Sequence, residues 1–85
     1  MRNVISCLVS GKDRTYIAHF EHAEEGGYCA HLPSFPKCFS EGDTFEETYE
    51  SLQEALEMLL DVAEEYGESI PVSNIQMFNL ELAAA

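Results

Sequence analysis

Eighty-five residues with 46% apolar content allow one domain with a modest core and argue against wholesale disorder. The formal net charge is −12 and unevenly placed: the basic residues are Arg2, Lys12, Arg14 and Lys37, whereas Cys38 to Ala85 holds twelve acids and no Lys or Arg. Such a chain repels nucleic-acid phosphates and anionic lipid headgroups, and it speeds encounter with basic proteins.

In chain order, Val4 to Val9 is apolar and rich in β-branched residues, as in a strand. It is too short for a signal-peptide core, and no run approaches the ~20 apolar residues of a membrane helix. Ser10-Gly11-Lys12-Asp13 reads as a turn. Thr15 to His22 alternates, with Tyr16, Ala18 and Phe20 on one face and Ile17, His19 and Glu21 on the other. Glu24-Glu25-Gly26-Gly27 is the next turn, because both glycines can take positive φ. Tyr28 to Leu32 is a third strand. Pro33 to Pro36 is expected to be a connector, and Cys38 to Ser40 a short edge strand.

The period then changes. Thr44-Phe45-Glu46-Glu47 is a capping box, with the Thr44 hydroxyl accepting from the Glu47 N–H and the Glu47 carboxylate reaching back. Phe45, Tyr49, Leu52, Leu56, Leu59, Ala63 and Tyr66 recur at steps of three and four, an apolar stripe on one long helix. Gly67 suits the C′ position, and Pro71 follows. Ile75 to Leu82 is expected to form a last strand returning to the sheet. The fold class is therefore α+β: an antiparallel β-meander, one long amphipathic helix packed on one face, and a final strand, all within residues 1–85 as a single domain.

Chemistry-bearing residues are sparse. His19 and His22 face opposite sides of a strand, His31 neighbours His19 only if the second and third strands pair, and Cys29 and His31 lack zinc-site spacing. No metal site and no cofactor are expected. Three cysteines without a Cys-x-x-Cys pattern fit reduced thiols in the cytoplasm. Nothing fixes Cys38, Lys37 and His31 in a catalytic geometry. Glu50, Glu54, Glu57 and Asp61 line up at steps of four, three and four opposite the stripe. This row has no cleft to set two carboxylates apart for acid–base work, and no opposing cations along it. Such a row is expected either to persist by drift on a solvated face or to serve as a docking face for a basic partner, and the second makes Glu50, Glu54, Glu57 and Asp61 the candidate partner-binding residues.

Gly26-Gly27-Tyr28, then Pro33-Ser34-Phe35-Pro36-Lys37-Cys38-Phe39-Ser40-Glu41-Gly42-Asp43-Thr44-Phe45-Glu46-Glu47 leading into a helix, resembles the HicB family of bacterial and archaeal antitoxins. Gly67-Glu68-Ser69-Ile70-Pro71 resembles the family's exit from that helix. The resemblance spans Tyr16 to Ser73, with Lys37 standing where the family usually has Gly. Local physics accounts for much of the motif: Gly42 permits the turn before the helix, Asp43 and Thr44 start it, Pro33 and Pro36 stiffen the crossover, and Cys38 is a small buried hydrophobe.

The resemblance implies a partial ribonuclease H-like fold, pairing with a small basic HicA-like toxin that cleaves mRNA, and self-association as a dimer or higher oligomer. Many members add a C-terminal DNA-binding segment. The stretch after Pro71 is short and carries no basic residue, so no C-terminal DNA-binding domain and no direct nucleic-acid binding are expected. Val4 to Val9 has no acid where ribonuclease H chemistry places one, so the chain is not expected to be an enzyme. The leading reading is a cytoplasmic antitoxin that does not contact membranes. The alternatives are a stand-alone homo-oligomeric binding module without a toxin, and a weak metal-dependent nuclease using Glu50 or Asp61.

Overall fold

The computed structural model describes residues 4–12 and 14–71. Four strands, β1 (Val4–Gly11), β2 (Arg14–His22), β3 (Tyr28–Leu32) and β4 (Phe35–Gly42), make one antiparallel sheet in chain order, followed by the helix α1 (Phe45–Tyr66). The α+β meander-plus-helix expectation holds. The strand expected over Ile75–Leu82 lies outside the described residues.

Alternation decides which sheet face the helix covers. Val9, Tyr16, Ala18, Phe20, Ala30 and Leu32 point inward and are buried. Against them α1 sets Leu52, Leu56 and Leu60, all fully buried. Each such side chain contributes roughly 1.5–3 kcal/mol by leaving water, so this two-layer contact carries the fold.

Two expectations need correction. Pro33–Pro36 is not a four-residue connector: Leu32 pairs with Phe35 across Pro33 and Ser34, and β4 extends from Phe35 to Gly42, with a register shift between His31 and Leu32 that leaves Pro36, Lys37 and Cys38 unmatched in β3. Pro36 is tolerated because it falls in this irregularity of an edge strand, where no β3 residue is paired with it and no ladder N–H is required. The helix stripe also turns away from the sheet at its far end. Leu60 is fully buried, Leu59 only partly, and Tyr66 is 72% exposed. Steps of four and three average 3.5 residues per turn, and a straight helix drifts by about 20° per heptad against that repeat. Three heptads on from Phe45, Tyr66 has drifted about 60° and left the core.

Both helix ends are capped. Thr44 accepts from the Glu47 N–H at 3.1 Å, and the Glu47 carboxylate accepts from the N–H of Asp43, one residue before the cap, at 3.2 Å. At the other end Gly67 adopts φ 67°, Glu68 N–H donates to Ala63 O at 2.8 Å and Gly67 N–H to Glu64 O at 3.4 Å, a Schellman closure.

The two motif glycines act together. Gly27 has φ +79°, and a Cβ there would collide with the carbonyl oxygen of Gly42. Gly42 does not have positive φ; it is needed for close approach, because a Cβ would sit 2.9 Å from Thr48 Oγ1 and 3.0 Å from Thr48 N. The β2–β3 turn, the end of β4 and the first turn of α1 are thus stacked through glycine backbone. Thr48, fully buried, donates to Thr44 O at 2.7 Å and its carbonyl accepts from Ser40 Oγ at 2.9 Å, which ties strand to helix.

The other edge strand is also tied to the helix. Tyr49 donates its hydroxyl to Leu8 O at 2.6 Å, and Gln53 donates its amide to Ser10 O at 3.1 Å. Tyr16, buried in the core, donates to Pro71 O at 2.7 Å and anchors the chain after the helix.

Candidate docking surfaces

The row Glu50, Glu54, Glu57 and Asp61 is exposed along its whole length. At 3.6 residues per turn the four fall within an arc of about 60°, well away from Leu56 and the core. Every acidic residue from Glu46 to Glu65 is exposed on this helix. The row does have an opposing cation: Lys12, in the β1–β2 turn, pairs with Asp61 and reaches Glu64 at 3.2 Å. The hydrogen bond to Asp61, then that to Glu64, raises the Lys12 pKa above its ordinary value. Asp61 is therefore partly neutralised within the molecule, while Glu50, Glu54 and Glu57 make no ion pair with a described residue. The stem of Glu57 lies over Gly11, where an added Cβ would stand 3.1 Å from Glu57 Cγ.

Beside this row runs a second, exposed apolar line. Met58, Val62 and Tyr66 recur at steps of four on the other flank of α1, exposed by 66%, 39% and 72%. Helical spacing could have found Met58 and Val62, whose step of four leads on to Tyr66, a residue expected in the core stripe. The helix exterior is thus divided between an acidic flank and an apolar one. Acidity continues at the helix entrance, where Glu24, Glu25, Glu41, Asp43 and Glu47 surround an open cleft of about 630 Å³.

The sheet face away from the helix differs in kind. Register places Val4, Glu21, Cys29 and Glu41 in one row across the four strands, and Ser6, His19, His31 and Phe39 in the next; Leu8 stands opposite Ile17. Val4 is 47% exposed, Leu8 44% and Phe39 69%. No part of α1 covers this face. The sequence did not reveal it, because the open side of a sheet is known only once every strand's inward side is fixed.

His19 and His31 do meet, as cross-strand neighbours with ring centroids 5.6 Å apart and planes at 90°. Among the described residues no group of three or more His, Cys, Asp and Glu side chains is arranged to hold a metal ion. Cys38 is fully buried and directs its thiol at Leu52 O, 3.7 Å away. Burial pushes that thiol up to about 11, which keeps it protonated and unsuited to nucleophilic attack near neutrality. Cys29 is exposed on the open sheet face, and Cys7 is half-buried with its thiol also pushed up by burial. No described helix is long and apolar enough to cross a membrane.

Comparison with known proteins agrees with the motif. The family model described as HicB_like antitoxin of bacterial toxin-antitoxin system matches residues 16–82. The UPF0150 protein ssl0259 of Synechocystis sp. is 28% identical over 61 residues, covering 72% of this chain and 84% of that protein. A second Synechocystis protein, UPF0150 protein ssr1765, is 39% identical over 46 residues, 54% of this chain and 58% of that one. The UPF0150 protein Ta0767 of Thermoplasma acidophilum is 30% identical over 53 residues, 62% of this chain and 77% of that one. No solved structure matches the chain significantly.

Proposed function

The chain belongs to the HicB-like antitoxins of bacterial toxin–antitoxin systems, and from that premise we propose that it binds and neutralises a small, basic, HicA-like toxin that cleaves mRNA. The observation that carries the reading is the exposed acidic flank of α1, on a helix whose opposite side already does the structural work. A ribonuclease surface shaped for phosphates is positive, and a row of carboxylates competes for it on the same electrostatic terms as RNA. Glu50, Glu54, Glu57 and Asp61 make the charged contacts, and Met58, Val62 and Tyr66 offer apolar area alongside. In this reading the protein is a single cytoplasmic domain that acts without catalysis, cofactor, membrane or direct nucleic-acid contact, and it works as a homo-oligomer.

Co-expression with a small basic toxin encoded beside it tests this. Rescue of growth and co-purification are expected. The quadruple variant E50Q/E54Q/E57Q/D61N should bind roughly tenfold or more weakly, each rim charge contributing at most about 1 kcal/mol, and should lose most of the salt dependence. Neither rescue nor co-purification would sink the proposal. The open apolar sheet face favours a second reading, a homo-oligomeric module without a toxin, which the same experiment would leave standing.

A further inference from the structure

The two exposed faces of this fold differ in charge, and the difference restricts what each can bind. On the helix side, exposed carboxylates run from Glu46 to Glu65, with Lys12 the cation paired to them. On the open side of the sheet, the rows that cross all four strands hold two carboxylates, Glu21 and Glu41, at one end. Those rows otherwise hold Val4, Cys29, Ser6, Phe39 and the imidazoles of His19 and His31, with Leu8 opposite Ile17 in the row beyond.

A second copy brings the same charge of −12. If two copies met through their helices, rows of like charge would stand within a Debye length of about 8–10 Å, each opposing the other. The Met58, Val62 and Tyr66 flank does not escape this, because Glu54 and Glu65 border it on the same helix. The open sheet face is where two copies can approach with little repulsion, and there they gain by covering exposed Leu8 and Phe39. An isologous contact through one patch on each copy closes as a two-fold dimer.

From this charge segregation we infer that the sheet face left open by α1 is the surface through which two copies of this chain pair. A sheet-to-sheet dimer places both helices on its outer sides. The acidic flanks remain accessible, and one dimer then holds two basic partners, one on each outer face. That stoichiometry rests on the antitoxin reading; the dimer itself does not.

The test is sedimentation of the full chain without any toxin, over a wide concentration range and at low and high salt. The expected mass is twice 9.5 kDa, and raising the salt should leave the dimer intact or tighten it. Leu8→Glu and Phe39→Glu, both at exposed positions, should give 9.5 kDa monomers whose circular dichroism matches the parent and whose melting, unlike the parent's, does not depend on protein concentration. Glu54→Gln and Val62→Glu should remain dimeric. A parent protein that stays monomeric overturns the inference. So does an oligomer indifferent to Leu8→Glu and Phe39→Glu, which would mean that something else, such as residues 72–85, occupies the sheet face. Loss of the dimer in Val62→Glu would move the interface to the helix and overturn it equally. Because no toxin is present, a failure here is separate from a failure of toxin neutralisation.

Discussion

Replacing glycines one at a time in the stack Gly26, Gly27 and Gly42 separates two physical costs. Gly26 has φ +101° and nothing within 4 Å of an added Cβ, so Gly26→Ala is charged only for the left-handed backbone, about 1–2 kcal/mol. Gly42→Ala carries no such penalty but drives a methyl to 2.9 Å and 3.0 Å from Thr48 Oγ1 and N. The helix start cannot easily retreat, because Thr44 and Glu47 pin it through the cap and Ser40 bonds Thr48 O. Overpacking of this kind costs about 1–3 kcal/mol, less up to ~1 kcal/mol recovered from the stiffer unfolded chain. Gly27→Ala incurs both terms and collides with backbone, so about 3–5 kcal/mol is expected. A domain of this length has on the order of 4–13 kcal/mol in total; Gly27→Ala should be the least stable of the three and at the edge of folding. Urea denaturation followed at 222 nm gives the three values under one protocol. Gly42→Ala within 0.5 kcal/mol of the parent, or Gly26→Ala as costly as Gly27→Ala, would refute the close-approach argument.

Other consequences are direct. Thr44→Ala removes the N-cap acceptor and should cost about 1 kcal/mol in the same assay. Cys38 titrates from 9.0 to about 11 between unfolded and folded chains. The unfolded state therefore loses its proton first, and stability falls as pH rises from about 9 to 11, by up to roughly 2–3 kcal/mol. Melting of the parent against Cys38→Ala isolates this slope from that of Tyr16, whose phenol is pushed up by burial and acts in the same sense; equal slopes would refute the assignment. A thiol reagent should modify Cys38 only as the protein unfolds, well after Cys7 and Cys29; rapid reaction of Cys38 would contradict its burial.

Much of the scaffold was legible because its signals are local. The Thr44 cap, the Gly67 stop and the Tyr16, Ala18, Phe20 alternation each lie within a few residues and landed where periodicity put them. The extent of β4 was missed because Pro36 argues against a strand until it is known to lie on an edge. The end of the stripe was misjudged because Leu59 and Leu60 are chemically alike, and only the rotation of a straight helix separates them. Lys12 and Asp61, forty-nine positions apart, meet only after the β1–β2 turn is brought beside the helix, so a row that looked unopposed has a partner. The open sheet face depends on the register of all four strands and has no counterpart in any one segment.

The two hydrogen bonds from α1 to β1 have a further consequence. Strand edges recruit strands, and an outer strand with free carbonyls invites a peptide or another protein's edge to add on. Here the carbonyls of Leu8 and Ser10 are already taken by Tyr49 and Gln53, while on the far side β4 carries a register shift and, at Pro36, a residue with no N–H to offer. The sheet is therefore hindered along both rims and open on its flat side, so growth into ribbons or fibrils by edge pairing is discouraged while a single face-to-face partner is still admitted. Converting Tyr49 to Phe and Gln53 to Ala together would reopen the β1 rim, and slow aggregation of an otherwise folded protein should follow.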